Sequence, residues 1–154
     1  MAVINNLTGV FGFLNPEDPG YCSKYAEKMY PTMLHACYAA MTNDVNTRVL
    51  IEGETDIRNL PNYLDGTPLL MEEVWDRLVD IVLEKFSKYE FGNKMVTYVN
   101  PDEDMIEYIS NNKLFGKVPG QEDSVNALGR IMTLVAKYGA SKENIMNTLF
   151  LEAR

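Results

Sequence analysis

The chain has 154 residues, 22 of them acidic and 14 basic, for a net charge of -8; it fits one ordinary core and disfavours the phosphate neutralisation on which nucleic-acid affinity depends. Two cysteines, Cys22 and Cys37, with the single histidine His35, exclude a disulfide framework and a four-ligand zinc site. No run reaches the roughly 20 apolar residues of a membrane span and no cation precedes Lys24, so the expectation is a cytoplasmic or virion protein that is not secreted and has no membrane anchor.

Residues 1–20 lack a helical period and end in Asn15-Pro16-Glu17-Asp18-Pro19-Gly20, which predicts an extended N-terminal arm ahead of a single helical domain over 21–154. Phe11, Phe13 and Leu14 on this arm call for burial, either against the chain's own core or as hydrophobic anchors on a neighbouring copy or partner. Residues 21–30 read as a helix, and Pro31 restarts it as a first-turn residue. Leu34, Cys37, Tyr38 and Met41 then recur at helical spacing. Cys37 on that apolar face is expected to be a buried thiol, and His35, roughly 200° around the helix from it, is not placed to activate it.

Residues 48–51 and 95–99 read as short strands forming a small peripheral two-stranded β element. Between them lies a loop over 59–68, then the strongest helix, from Pro68 to Tyr89. Its proline sits at the first turn, and Val74, Trp75, Leu78, Ile81, Val82, Phe86 and Tyr89 form one apolar stripe. The opposite face carries Glu73, Asp76, Asp80 and Glu84. These form either a docking stripe for a basic partner or a solvated face, with Glu73 paired to Arg77 and Glu84 to Lys88 at i,i+4.

Further helices are predicted over 101–111 and 121–138, the latter stopped by Gly139, and from Ser141 onward. Val135, Gly139, Ser141 and Ile145 have helix-turn-helix spacing, but Lys142 and Arg154 face Glu143 and Glu152, too little positive charge to hold phosphates. A structural helical hairpin is expected instead. The predicted fold is mainly α, α+β at the margin, with five or six helices packed around the helix near 68–90.

The segment Val49-Leu50-Ile51-Glu52-Gly53-Glu54-Thr55-Asp56 resembles the first motif of Toprim domains, where a hydrophobic strand ends in Glu-Gly, and Asp102-Glu103-Asp104 is similar to that family's Asp-x-Asp. The resemblance implies magnesium-dependent cleavage or synthesis of nucleic-acid phosphodiesters, with Glu52 as acid or base and Asp102 and Asp104 holding the metal. The second cluster also has a structural reading. Asn100 caps a helix, Pro101 takes its first position, Glu103 completes a capping box, and Asp102 and Asp104 complement the helix dipole.

No Gly-rich phosphate loop, Ser-His-Asp set or metal-spaced histidine cluster stands in the sequence. The expectation is therefore a non-enzymatic interaction or assembly protein without a cofactor. It is a component of a larger oligomer such as a viral particle, or an acidic inhibitor of a basic partner. It binds another protein or further copies of itself through Phe11, Phe13 and Leu14, rimmed by Asp76, Asp80 and Glu84. The Toprim-like magnesium enzyme is the alternative.

Overall fold

A computed structural model describes residues 2–64, 66 and 69–152. In chain order the elements are β1 (Ala2–Ile4), a 3-10 helix (Gly9–Leu14), β2 (Ser23–Tyr25), β3 (Lys28–Tyr30), α1 (Met33–Ala39), α2 (Val45–Glu52) and a second 3-10 helix (Ile57–Tyr63). They continue with α3 (Met71–Phe86), α4 (Tyr89–Tyr98), β4 (Asp104–Ile106), α5 (Ala127–Tyr138) and α6 (Lys142–Glu152). The fold is mainly α, with β1–β4 and β2–β3 as its two small strand pairs. Among the described residues no helix is long and apolar enough to cross a membrane. The chain divides into two compact units, Pro16–Glu84 and Met1–Asn15 with Lys85–Arg154.

In Pro16–Glu84, every residue of α1 is buried, His35 included. Such a helix needs protein partners for the amides and carbonyls at its ends. At its start, the Thr32 hydroxyl oxygen accepts the His35 amide at 3.1 Å, and the Leu34 amide donates to the Pro16 carbonyl at 2.9 Å. At its end, Arg48 donates from Nε to the Ala39 and Thr42 carbonyls, both at 3.1 Å, and from Nη2 to Thr42 at 2.8 Å. Arg77 donates to the Ala40 carbonyl and to Asn43 Oδ1, each at 2.8 Å. His35 Nε2–H donates to the Glu54 carbonyl at 2.8 Å, and Nδ1 and the Thr32 hydroxyl share a hydrogen bond of 2.7 Å. A carbonyl only accepts, so the Nε2 nitrogen is the donor of this bond.

These bonds explain two corrections. Residues 48–51 lie in α2, not in a strand. Asp44 starts that helix by accepting the Asn46 amide at 3.4 Å and the Thr47 hydroxyl at 2.6 Å, and tertiary pairing of Arg48 overrides the β preference of the apolar run. Arg77 serves the end of α1 and does not make the expected ion pair with Glu73.

Residues 21–30 form no helix either. β2 and β3 are an antiparallel hairpin with Ser23 opposite Tyr30 and both buried, while Lys24 and Met29 alternate outward. Of the apolar stripe on α3, Val74, Trp75, Leu78, Ile81, Val82 and Phe86 are buried, but Tyr89 opens α4 and is 86% exposed. Pro68, expected in the first turn of that helix, lies outside the described residues, as do Asp65 and Thr67 of the preceding loop and Arg154 at the C-terminus.

In the other unit, β1 pairs in parallel with β4, Ile4 opposite Ile106. Side chains of α5 satisfy the far edge of β4. Thr133 Oγ1 accepts the Ile106 amide at 3.0 Å; Asn126 accepts the Tyr108 amide and donates to the Ile106 carbonyl, both at 3.1 Å. Asn126 thus supplies the donor and acceptor of an absent strand. Gly129 is required beneath it, because a Cβ there would overlap the Ile106 carbonyl and the Asn126 amide.

The segment expected as an extended arm is folded within its described residues. Phe13 and Leu14 are buried in the first 3-10 helix, and the Phe13 ring meets Phe86 edge-on with centroids 6.4 Å apart. Residues 95–98 form the last turn of α4 and Val99 leaves it, so they are no strand; only Met95 and Val99 of this run are buried.

The helix expected over 101–111 is replaced by a turn and β4. Asn100 Oδ1 accepts the Asp102 amide at 3.0 Å as a cap does, but the Asn100 backbone amide goes to Asp104 at 2.8 Å and not to Glu103, so the capping box does not form, and the following amides are claimed by β1 and α5. α5 starts at Ala127, later than expected, because the amides of Val125, Asn126, Ala127 and Leu128 donate to carbonyls of 113–116. It ends at Gly139, at φ +63°, and α6 packs against it.

Two unfolding measurements check these accounts. Arg48→Ala is expected to destabilise the chain by about 2 kcal/mol, because it strands buried carbonyls; a loss below about 0.5 kcal/mol contradicts the double-arginine cap. Asn126→Ala is expected to lose about 2 kcal/mol in urea unfolding, and Asn126→Asp, which keeps the acceptor, is expected to lose less.

Candidate functional site

Within Pro16–Glu84 a cleft of about 370 Å³ opens between the hairpin tip and α3, lined by Lys24, Tyr25, Ala26, Glu27, Asp80 and Glu84. Two short strands joined by two residues put Glu27 at the tip, and helical i,i+4 spacing stacks Asp80 and Glu84 on one face. Two of the acids expected to rim a docking surface are therefore brought together with a third from the hairpin. Asp76 lies exposed one turn before Asp80 on α3.

Nearby, burial first and the Glu84 charge second push the Tyr21 phenol up to about 12, so it stays protonated. Tyr25 carries the Arg48 guanidinium 5.2 Å from its ring centre, which shows that this ring accepts a cation on its face. Three carboxylates, one ammonium and an aromatic ring suit recognition of a cationic group.

The other expected site residues are engaged within the fold. Phe13 and Leu14 are buried and Phe11 is half-buried, which agrees with packing against the chain's own core and does not offer Phe13 and Leu14 as exposed anchors; the 3-10 helix turns these two inward. Glu52 ends α2 and pairs with Lys28 at 2.9 Å. Since α2 is a helix, the strand that leads into Glu52 in the Toprim pattern is missing here.

Asp104 accepts the Asn100 amide at 2.8 Å and closes the turn before β4, while Asp102 is exposed on that turn. Among the described residues no three His, Cys, Asp or Glu side chains gather in a way that could hold a metal ion. Burial pushes the Cys37 thiol up, far from a thiolate.

Sequence reasoning missed Glu27 and Tyr25 because it read 21–30 as a helix. The available signal was the alternation of inward Ser23 and Tyr25 with outward Lys24.

The acidic segment after α2 is held by its own hydrogen bonds. Glu54 accepts the Tyr63 hydroxyl at 2.8 Å and the Asp56 amide at 3.1 Å; Arg58 pairs with both oxygens of Asp56, the closest at 2.8 Å. The Asp56 amide, then Tyr63, lower the Glu54 pKa, and Arg58 lowers that of Asp56. Groups lowered by folding add stability above their unfolded values, and this contribution is lost as pH falls through the folded values. Tyr63→Phe is therefore expected to lower the melting temperature at about pH 6, with the difference from wild type shrinking below about pH 4. A difference that is constant across this range contradicts the Glu54–Tyr63 bond.

Comparison with protein-family models, curated proteins and solved structures finds no match to this chain.

Proposed function

We propose that the chain is a non-catalytic interaction or assembly protein that receives a basic segment of a protein partner in the cleft between the hairpin tip and α3. The observation that carries this reading is the convergence of Glu27, Asp80 and Glu84 from two elements around one concave surface, on a chain of net charge -8. Carboxylates arranged this way attract a cationic partner over a Debye length and orient it at contact. A subunit of a larger oligomer such as a viral particle, or an inhibitor of a basic protein, would use such a surface in the cytoplasm or in a virion. Burial of Phe13 and Leu14 moves the proposed contact from the N-terminus to this cleft.

The test is fluorescence anisotropy with a labelled oligo-arginine peptide. Wild-type protein is expected to bind it with an affinity that falls as salt rises from about 0.05 to about 0.3 M. Asp80→Asn combined with Glu84→Gln is expected to weaken binding about tenfold at low salt. Binding that ignores both salt and these substitutions overturns the reading.

A further inference from the structure

We infer that the β2–β3 hairpin is a lid on α1 that opens ahead of the rest of Pro16–Glu84, because its closed position leaves two buried hydroxyls without partners. Ser23 and Tyr30 stand opposite each other across the hairpin and are 0% and 1% exposed, and both strands pack against α1. Among the described residues neither the Ser23 hydroxyl nor the Tyr30 hydroxyl finds a hydrogen-bond partner. Burial above all raises the Tyr30 pKa, so the phenol keeps its proton and remains a donor. A buried donor of this kind has lost its bond to water and gained none within the protein. The inference does not rest on the docking reading.

Several features act on the same equilibrium. Tyr30 attaches the hairpin, since it is the largest of the fully buried side chains, yet a phenylalanine would bury the same ring without the oxygen. In the open position water satisfies both hydroxyls, so their penalty belongs to the closed form alone. The turn works in the same sense. Ala26 and Glu27 hold φ of +50° and +65°, which residues with a Cβ other than Asn and Asp seldom adopt, and the loop relaxes when the strands part. Apart from packing, little opposes opening. Strands of three residues offer few ladder bonds, Arg48 meets the Tyr25 ring at 5.2 Å, and the Lys28–Glu52 pair, its side chains 35% and 41% exposed, is screened by water. α1 keeps its caps from Arg48 and Arg77 when the hairpin lifts, so the opening is local. It withdraws Lys24, Tyr25, Ala26 and Glu27, one wall of the cleft, and the cleft therefore exists only in the closed form.

The experiment is native-state hydrogen exchange of the full chain at increasing urea below the unfolding transition, for wild type, Tyr30→Phe and Ser23→Ala. In wild type the β2 and β3 amides are expected to exchange about a hundredfold faster than those of α3, at a rate that responds weakly to urea because a local opening exposes little surface. Tyr30→Phe is expected to slow the hairpin amides about tenfold, and Ser23→Ala to slow them by a smaller factor, since each removes a buried oxygen that has no partner. Hairpin amides that exchange at the α3 rate and with the α3 urea dependence overturn the inference, as does hairpin exchange that Tyr30→Phe leaves unchanged or speeds.

Discussion

α1 gives up contact with water on every side, and a helix that does so has to hand its end groups to protein partners. That one requirement organises Pro16–Glu84. α2 supplies Arg48, α3 supplies Arg77, the loop after α2 supplies the Glu54 carbonyl, and the turn before the hairpin supplies the Pro16 carbonyl. Each partner fixes the element that bears it. Arg48 then reaches Tyr25, and Glu52 one turn later reaches Lys28, so the hairpin is set against α2 by the helix that caps α1. The cleft between hairpin and α3 thus inherits its width from bonds made elsewhere, at the end of a buried helix.

The other unit meets a related difficulty by the same means. A strand of three residues offers few ladder bonds, and among the described residues β4 has a partner strand on one side alone. Asn126 and Thr133 complete the opposite side with side-chain groups, and Asn126 does so from a left-handed backbone position that asparagine tolerates better than most residues. Gly129 is the steric condition for this arrangement, since it allows the Ile106 carbonyl to approach α5 closely. In both units long polar side chains do what additional regular structure would otherwise do.

These polar bonds also mark the limit of what the sequence shows. The stripe on α3, the stop at Gly139 and the burial of Cys37 are legible because each depends on helical spacing or on a local backbone preference. The runs 48–51 and 95–99 are not, since four or five apolar residues fit either period and the decision falls to distant partners such as the Ala39 and Thr42 carbonyls. At 100–104 the Asn100 side chain accepts the Asp102 amide as a cap does, without the helix that such a contact normally precedes. Asp80 and Glu84 are visible as an acidic face, whereas Glu27 is hidden by a turn that lacks the residues by which such turns are recognised.

The chemistry of the cleft would set the character of the proposed association. Its carboxylates are at or near the surface, where water and salt limit each charge pair to at most about 1 kcal/mol, so a single contact is weak and readily reversed. Such a contact forms quickly, because long-range attraction raises the encounter rate more than it slows departure. Repeated many times in an assembly, or joined to a second contact on the same partner, it becomes stable without any one site becoming tight.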